Sequence, residues 1–260
     1  TASGATDNVR ENLAADLTSL AGKTLNSLVI NNQAVGTPLS VTGSGSGQLL
    51  TNTSGAFLFT VTGGADSTAY STILGGFDNG IAVGGTNEYV IHVVNPSASA
   101  TTTNLTATIA SSLNSVADIT KSGRGTLILS GNNTAGGNTR KTTINEGILE
   151  ITDLDNIGGG TGALVFAGGT LRLGTGFADD LSSRTISFLQ GGGTIDTQGA
   201  NYTLANSVGS GVGGLTKIGT GTLTFAANAA YTGTTTVADG RLVLNGGGNN
   251  RLSNSAALVV

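Results

Sequence analysis

The second half of the chain repeats a short alternation of apolar and polar positions. Each copy begins at a glycine, reaches Leu or Ile two residues later, and usually places another apolar residue two positions after that. A period of two puts one set of side chains on one face of a β-strand, and the glycine supplies the turn before it. The pattern predicts strands at Gly125–Leu129, Gly147–Ile151, Gly169–Leu173, Gly193–Thr197, Gly221–Phe225 and Gly240–Leu244.

The spacing of these strands predicts a solenoid. Their first apolar residues recur at a nearly regular interval, with one longer step before the fifth: Leu127, Leu149, Leu171, Ile195, Leu223 and Leu242. One such strand cannot bury its own apolar face, whereas strands stacked about 4.8 Å apart would join these six side chains into one inner column. We therefore expect coils of about 20–25 residues around a continuous core.

Paired apolar runs within each period favour a parallel β-helix over other repeat folds. Thr142–Ile144, Ala163–Phe166 and Thr234–Val237 each precede one of the repeated strands. A propeller blade would need roughly 40–45 residues, and a left-handed helix of hexapeptides would show a six-residue period that the sequence lacks. The predicted fold class is all-β, a right-handed parallel β-helix.

Composition excludes several other classes of protein. Charged residues form 10 % of the 260 positions and 43 residues are glycine, yet 38 % are hydrophobic, so the chain is neither an ordinary globular domain nor disordered. The net charge of −4 without a cluster of Lys or Arg argues against nucleic acid as a partner. Cysteine is absent, which excludes a disulfide framework. No apolar run reaches the roughly 18–20 residues of a transmembrane helix.

A longer repeat overlies the short one, because Ile119–Leu129 matches Leu215–Phe225 and places lysine at 121 and 217. The runs ITKSGRGTLILSGNNTAGGNTRKTTINEGILEI and LTKIGTGTLTFAANAAYTGTTTVADGRLVL resemble the autotransporter-associated β-strand repeat, also called the passenger-associated transport repeat. The first copy departs from the pattern by an insertion near Asn138–Arg140, which predicts a longer corner. The resemblance implies a right-handed β-helix in large secreted or surface-anchored bacterial proteins, where the repeat supports passenger export and a stable stalk. It implies no catalytic residue.

The two parts of the chain differ in regularity. Residues 119–260 contain the regular, repeat-bearing coils. Residues 1–118 contain strand runs between Gly/Ser/Thr/Asn stretches and are expected to form less regular coils of the same continuous solenoid: Leu25–Ile30, Ala56–Val61, Glu88–Val94 and Leu105–Ile109.

Two segments near the ends carry expectations of their own. Within residues 7–21, Val9, Leu13, Leu17 and Leu20 have helix-like spacing, and the alternatives are a short capping helix and an irregular first coil. Ala257–Val260 stops in the middle of a coil. An open strand edge there predicts either continuation in a longer chain or end-to-end association into a filament.

Acidic residues are the candidates for catalysis. A polysaccharide lyase or glycosidase on a β-helix would need clustered acids, for which the sequence offers Asp153, Asp155, Asp179, Asp180 and Asp196. Asp is also a preferred turn residue, because its carboxylate binds nearby backbone amides, and we favour that interpretation. His92 lies in a strand run without a serine or acid at a recognisable motif spacing, so we expect a strand-surface residue.

Glycine-rich segments do not complete a known binding motif. Gly75–Gly80 faintly resembles a calcium-binding nonapeptide, but its ligand spacing differs and it does not repeat every nine residues, so calcium stays the weaker alternative. Gly158–Gly160 and Gly246–Gly248 lack the Lys-Ser/Thr of a phosphate loop and are expected to form corners. We therefore expect no catalytic, cofactor-binding or metal-binding residues and no cofactor.

These features predict a structural segment, extracellular or on the bacterial cell surface, that forms part of an adhesin, stalk or filament and has no catalytic activity. The alternative is a carbohydrate-active or glycan-binding β-helix. An enzyme would need three or more acids converging on one face of adjacent coils, and a rod would need none. The expected partners are another copy or a longer chain at the end of the solenoid, and glycans or host-surface molecules.

Overall fold

The computed structural model describes residues 7–18, 20, 22–33, 38–43, 46–61, 69–85, 88–94, 105–134, 139–245, 252 and 257–260. Within these ranges nearly all regular structure is β-strand, and the paired strands run parallel. Parallel neighbours that are joined through other strands instead of helices form the coils of a solenoid. The predicted parallel β-helix is confirmed, and its right-handed winding stays a prediction. No helix in these ranges is long and apolar enough to cross a membrane.

Strands of successive coils form three sheets. The first sheet contains β1 (Asn8–Leu13), β2 (Thr24–Asn32), β4 (Leu50–Val61), β6 (Ile81–Val83), β7 (Tyr89–Val93), β9 (Ile119–Ser122), β11 (Thr142–Ile144), β13 (Leu164–Phe166) and β15 (Ile186–Phe188). The second contains β3 (Leu39–Thr42), β5 (Tyr70–Gly75), β8 (Leu105–Ile109), β10 (Thr126–Leu129), β12 (Ile148–Ile151), β14 (Thr170–Leu173), β16 (Gly193–Asp196), β18 (Leu215–Ile218), β20 (Thr235–Val237) and β22 (Leu258–Val259). The third contains β17 (Tyr202–Leu204), β19 (Thr222–Phe225) and β21 (Arg241–Leu244). Short 3₁₀ helices at Leu154–Ile157 and Leu181–Ser183 lie at corners.

The inner column of the second sheet follows the sequence prediction as far as Ile195. Leu127 pairs with Leu149, Leu149 with Leu171, and Leu171 with Ile195. All four side chains are fully buried. Full burial of one such aliphatic side chain contributes about 1.5–3 kcal/mol, so the stack supplies a large part of the stability of these coils.

The predicted column is wrong beyond Ile195. The next residue in register is Lys217, whereas Leu223 lies in the third sheet between Tyr202 and Leu242. The repeated Gly-x-Leu pattern marks a strand that follows a turn but does not say which face of the coil that strand occupies. Because β17 adds a strand on a new face, the step from Ile195 to Leu223 exceeds one coil.

Coil length differs between the two parts of the chain. In the first sheet Leu28 pairs with Phe57, Phe57 with Ile91, and Ile91 with Lys121, and each of these steps is longer than the predicted coil. The following step, from Lys121 to Ile144, falls within the predicted length. The prediction therefore holds from Lys121 onward, while the coils between Leu28 and Lys121 carry longer connections between their faces.

The first described coil contains a strand where a capping helix was one alternative. Strand β1 pairs in register with β2, and Leu17 forms a parallel bridge with Val41. Val9 and Leu13 are buried. Their separation fits one turn of a helix, but it is also an even number of positions, so both point to the same face of a strand. The helix alternative is wrong, and the segment joins the stack as a coil.

Aromatic side chains continue the core of the later coils. The rings of Phe166 and Phe188 stack with centroids 5.0 Å apart, and Tyr231 meets Phe188 edge to face at the same distance. The hydroxyl of Tyr231 lies 2.7 Å from Oγ1 of Thr235. Burial raises the pKa of Tyr231 to about 12, so this tyrosine stays neutral and hydrogen-bonded inside the coil.

The register at the change of face can be tested with engineered cysteines, since the chain has none of its own. Thr194 and Thr216 are neighbours on adjacent strands of the second sheet. Their Cα atoms should lie about 4.8 Å apart, within disulfide range, so Thr194→Cys/Thr216→Cys should cross-link on mild oxidation. The control pair Thr194→Cys/Thr222→Cys should keep free thiols, and peptide mass spectrometry reads both. Preferential cross-linking of the control pair would refute the register.

Candidate functional site

The two copies of the long repeat form equivalent corners on different faces of the solenoid. In the first copy the chain passes from β9 in the first sheet to β10 in the second, and in the second copy from β18 in the second sheet to β19 in the third. Each copy places a lysine, Lys121 or Lys217, on the strand that enters the corner. Both lysines are fully buried. Lysine is almost never fully buried without partners, so these positions need a specific explanation.

The ammonium group of Lys121 is held by three backbone carbonyl oxygens. Its Nζ donates to Ser122 O at 2.9 Å, to Gly123 O at 2.5 Å and to Glu146 O at 2.9 Å. Ser122 and Gly123 belong to the corner of the same coil, whereas Glu146 belongs to the following coil. An ammonium group has three donors and no acceptor, so the three carbonyls accept all the hydrogen bonds that it can donate.

Lys217 repeats this arrangement. Its Nζ donates to Ile218 O at 2.9 Å, Gly219 O at 2.6 Å and Asp239 O at 3.1 Å. Two acceptors again come from its own corner and the third from the next coil. Because the geometry recurs on another face of the solenoid, it is a property of the repeat and not of one local environment. We refer to the two arrangements around Lys121 and Lys217 as the lysine corners.

Two opposing effects set the charge of these lysines. Burial lowers the pKa of Lys121 to about 7, and the carboxylate of Glu146 acts in the opposite direction. Burial also lowers the pKa of Lys217, against the carboxylates of Asp239 and Asp196. Carbonyl acceptors favour the charged form, since a neutral amine would offer only two donors to three acceptors. Both lysines therefore depend on their corner carbonyls to remain ammonium groups inside the core.

A glycine of the next coil covers each lysine corner. Gly147 and Gly240 have φ of 69° and 73°, in the left-handed region. A Cβ on Gly147 would lie 2.4 Å from Gly123 O, and a Cβ on Gly240 would lie 2.2 Å from Gly219 O. Any side chain at these positions would push the next coil away, and the lysine would lose its third carbonyl acceptor.

The sequence contains a signal for the lysine corners beyond the repeat itself. Lys121 and Lys217 each lie two residues after an inward apolar residue, Ile119 or Leu215. Side chains two positions apart on a strand face the same side, so both lysines face inward. A lysine at an inward position in both copies indicates a buried ammonium group. The identity of its partners does not follow, because they are backbone atoms of a neighbouring coil.

Four of the five candidate acids are occupied as turn residues. They lie at corners of two adjacent coils, and each carboxylate accepts a hydrogen bond: Asp153 from Asp155 N at 2.7 Å, Asp155 from Asn132 Nδ2 at 3.1 Å, Asp179 from Leu154 N at 2.8 Å, and Asp180 from Ser182 N at 2.9 Å. Asp153 and Asp180 are also the N-caps of the two 3₁₀ helices. The contacts of Asp153, Asp179 and Asp180 with backbone amides are those of turn and capping carboxylates, whereas Asp155 accepts from a side-chain amide.

Asp196 belongs to an ion-paired row on the outer face of the second sheet. Glu150, Arg172 and Asp196 occupy the same row of three adjacent strands. Arg172 lies between the two acids, with Nη1 3.5 Å from Glu150 Oε2 and Nε 3.0 Å from Asp196 Oδ2. This row contains two acids that share one arginine, so it does not reach the three converging acids expected of an enzyme. Partly exposed ion pairs of this kind contribute about 0–1 kcal/mol each.

His92 lies on the outer face of the first sheet, as predicted from its strand. Its Nδ1 is 2.9 Å from Oγ of Ser122 on the neighbouring strand. Burial lowers the pKa of His92, and the positive charge of Lys121 lowers it further, whereas the carboxylate of Glu146 raises it. His92 is therefore a neutral, hydrogen-bonded partner of a cross-strand serine at neutral pH.

The glycine-rich segments lie at turns wherever the structure describes them. Gly158 has φ of 92° and ends the 3₁₀ helix Leu154–Ile157, and Gly76 and Gly80 are also left-handed. Gly246–Gly248 lies outside the described residues. Among the residues that are described, no group of three or more His, Asp or Glu side chains could hold a metal ion.

A depression of about 550 Å³ crosses the corner between the first and second sheets in the later coils. Glycines such as Gly192 and Gly213 form its lining together with Thr194, Thr216 and Thr236. None of its lining residues carries a titratable side chain. The depression therefore offers hydroxyl and backbone groups to a ligand but no general acid or base.

The stretches that match a known repeat family coincide with the two lysine corners. Residues 119–151 and 215–244 match the Passenger-associated-transport-repeat family (PATR), and each stretch contains one lysine corner. The chain carries passenger-associated transport repeats. The family resemblance drawn from the lysine-containing runs is thereby confirmed.

One curated relative extends the similarity beyond the repeats. The adhesin BmaC autotransporter of Brucella suis biovar 1 (strain 1330) is 37 % identical over 145 residues, which is 55 % of this chain. The chain spans 4 % of the length of that relative. No solved structure matches the chain.

The contribution of a lysine corner can be measured by replacing its lysine with an apolar residue of similar length. Lys121→Met should lower the free energy of unfolding by about 2–4 kcal/mol, because three carbonyls lose their donor and each unsatisfied buried group costs about 1–3 kcal/mol, offset in part by the removal of a buried charge. The control Lys141→Met removes an exposed lysine paired with Asp118 at 3.2 Å and should cost less than about 1 kcal/mol. Urea unfolding compares the two. Equal stability of both variants would contradict a structural role for the lysine corner.

Proposed function

We propose that this chain is a structural segment of a surface-displayed bacterial passenger, in which stacked coils form a rod that carries adhesive parts of a larger protein. The observation that carries the proposal is the coincidence of the two passenger-associated transport repeats with the two lysine corners. In each corner the lysine ammonium group of one coil donates a hydrogen bond to a backbone carbonyl of the next coil. A rod built in this way can be extended by adding coils without a larger globular core.

The location of the chain is extracellular or on the bacterial cell surface. The repeat family and the similarity to an autotransporter adhesin both support this location. The outer faces fit it as well, because rows of threonine from successive coils stack in register, as in Thr170, Thr194, Thr216 and Thr236. Such rows keep the outer face of the sheet polar with very few charges.

The role is non-enzymatic in this proposal. The candidate carboxylates are engaged with backbone amides, with the side-chain amide of Asn132 or with Arg172, and the depression near Thr194 has no titratable lining. Contact with glycans or host-surface molecules is a further part of the proposal. The hydroxyl groups of Thr194, Thr216 and Thr236 around that depression are its structural support.

End-to-end association stays a prediction within this proposal. Leu258 and Val259 of β22 are about half exposed, and a small depression of about 180 Å³ lies between β21 and β22. An apolar strand edge of this kind can be covered by a further strand, from the same polypeptide or from another copy. Sedimentation of the purified chain over a range of concentrations distinguishes an associating chain from a monomer.

The rod proposal can be tested by displaying the chain as the passenger of a bacterial outer-membrane translocator. We expect external protease to release it from intact cells as a folded fragment with a β-sheet circular dichroism spectrum. Lys121→Met/Lys217→Met should give less surface-displayed, more protease-sensitive protein, whereas Lys23→Met/Lys141→Met should behave like the parent chain. Failure of the folded parent chain to reach the surface, or cleavage of polysaccharides by the purified chain, would overturn the proposal.

A further inference from the structure

Two arginines are buried at the corner through which the chain enters the first sheet. Arg140 precedes β11 and Arg184 precedes β15, and each is only 2 % exposed. They belong to the same corner, because Nη2 of Arg184 donates to the backbone oxygen of Arg140 at 2.7 Å. We refer to this arrangement of Arg140, Thr142 and Arg184 as the arginine corner.

Each guanidinium group is only partly hydrogen-bonded. Nη2 of Arg140 donates to Leu113 O at 3.1 Å and also to Ser115 O, while Nη1 of Arg184 donates to Gly159 O. The ring of Tyr89 lies 5.7 Å from Cζ of Arg140 and supplies a cation–π contact. These contacts tie the arginines to neighbouring coils but do not use all of their donors.

The remaining donors are concentrated at this corner. Within the described part of the chain, the buried side-chain polar atoms without a hydrogen-bond partner are Arg140 Nε, Arg140 Nη1, Arg184 Nε and Thr142 Oγ1. Three of these atoms are guanidinium nitrogens, which donate and never accept, and a hydroxyl can donate too. An unsatisfied buried donor is costly, so four such groups at one corner call for an acceptor.

The positive charge at the arginine corner is not neutralised by an ion pair. The ion pairs among the described residues involve Lys141 and Arg172, and the carboxylate of Asp118, which acts on Arg140, is itself paired with Lys141. Burial, followed by the charge of Arg140, lowers the pKa of Arg184 to about 10, so both groups remain cationic at neutral pH. Two buried cations without a paired counter-charge cost several kcal/mol each.

Two glycines pack closely against the arginine side chains. A Cβ on Gly158 would lie 3.5 Å from Nε of Arg140, one of the unpaired donors. A Cβ on Gly162 would lie 2.6 Å from Nη2 of Arg184. Any other residue at Gly162 would collide with Arg184, and a side chain at Gly158 would crowd Arg140 beside its unpaired Nε.

We propose that the arginine corner binds a small monovalent anion of the halide class, with chloride as the natural occupant. The unpaired groups can all donate, so the occupant must accept hydrogen bonds. The two positive charges favour an anion over a neutral water molecule. The site is enclosed by side chains that are almost fully buried, which favours a monatomic ion over phosphate or a glycan acid. The anion would satisfy the donors and compensate the charge in one step.

The first test measures the thermal stability of the whole chain as chloride replaces gluconate at constant ionic strength. An anion that binds the folded state alone stabilises it by mass action, so a hundredfold rise in chloride should raise the melting temperature by at least about 2 °C. Arg140→Met should lose this dependence, whereas Arg172→Met on the outer face should keep it. A general salt effect would move all three proteins equally, and that result would overturn the proposal.

A second test does not depend on the folding of a variant. Crystals of the unmodified chain grown with sodium bromide should show an anomalous peak within hydrogen-bond distance of Nε or Nη1 of Arg140. Bromide at crystal concentration supports the site only together with the chloride dependence in solution. Ordinary water density without an anomalous signal at this corner would refute the proposal.

Discussion

Backbone carbonyl groups at the corners of the solenoid are the constraint on which the rest of the structure depends. Within a sheet each carbonyl has a partner on the next coil, but at a corner the chain changes direction and some carbonyls turn inward. A buried carbonyl without a donor is costly. At the repeat corners the donor is the ammonium group of Lys121 or Lys217, which serves two carbonyls of its own coil and one of the next.

This arrangement couples the stacking of coils to the formation of their corners. The apolar columns hold neighbouring coils together without selecting a single register, since one aliphatic side chain can replace another. The third carbonyl of a lysine corner is a directional contact that forms only when the following coil is in place. The close approach of Gly147 and Gly240 adds a steric condition of the same kind. A rod assembled from such coils gains its stability from each successive contact, as solenoids do in general.

Much of the fold follows from the alternation of apolar and polar residues, and some of it does not. Strands such as β10, β12 and β14 follow from their pattern because one face of each is buried. The step from Ile195 to Lys217 does not, since the same pattern occurs on strands of two different faces and the column then continues through a lysine. Residues such as Val9 and Leu13 have a spacing that both a helix and a strand satisfy. Four of the candidate acids lie at turns, whereas Asp196 ends a strand. The lysine corners depend on backbone atoms of the neighbouring coil, so their only signal in the sequence is a lysine at a position that faces inward.

The burial of the repeat lysines is tested most directly by chemical modification. The chain contains four lysines, of which Lys121 and Lys217 are fully buried in their corners, while Lys23 and Lys141 lie outside the cages. Brief acetylation of the folded chain, read by peptide mass spectrometry, should modify Lys23 and Lys141 and leave Lys121 and Lys217 unmodified until the chain is denatured. Rapid modification of Lys121 or Lys217 in the folded chain would contradict the account.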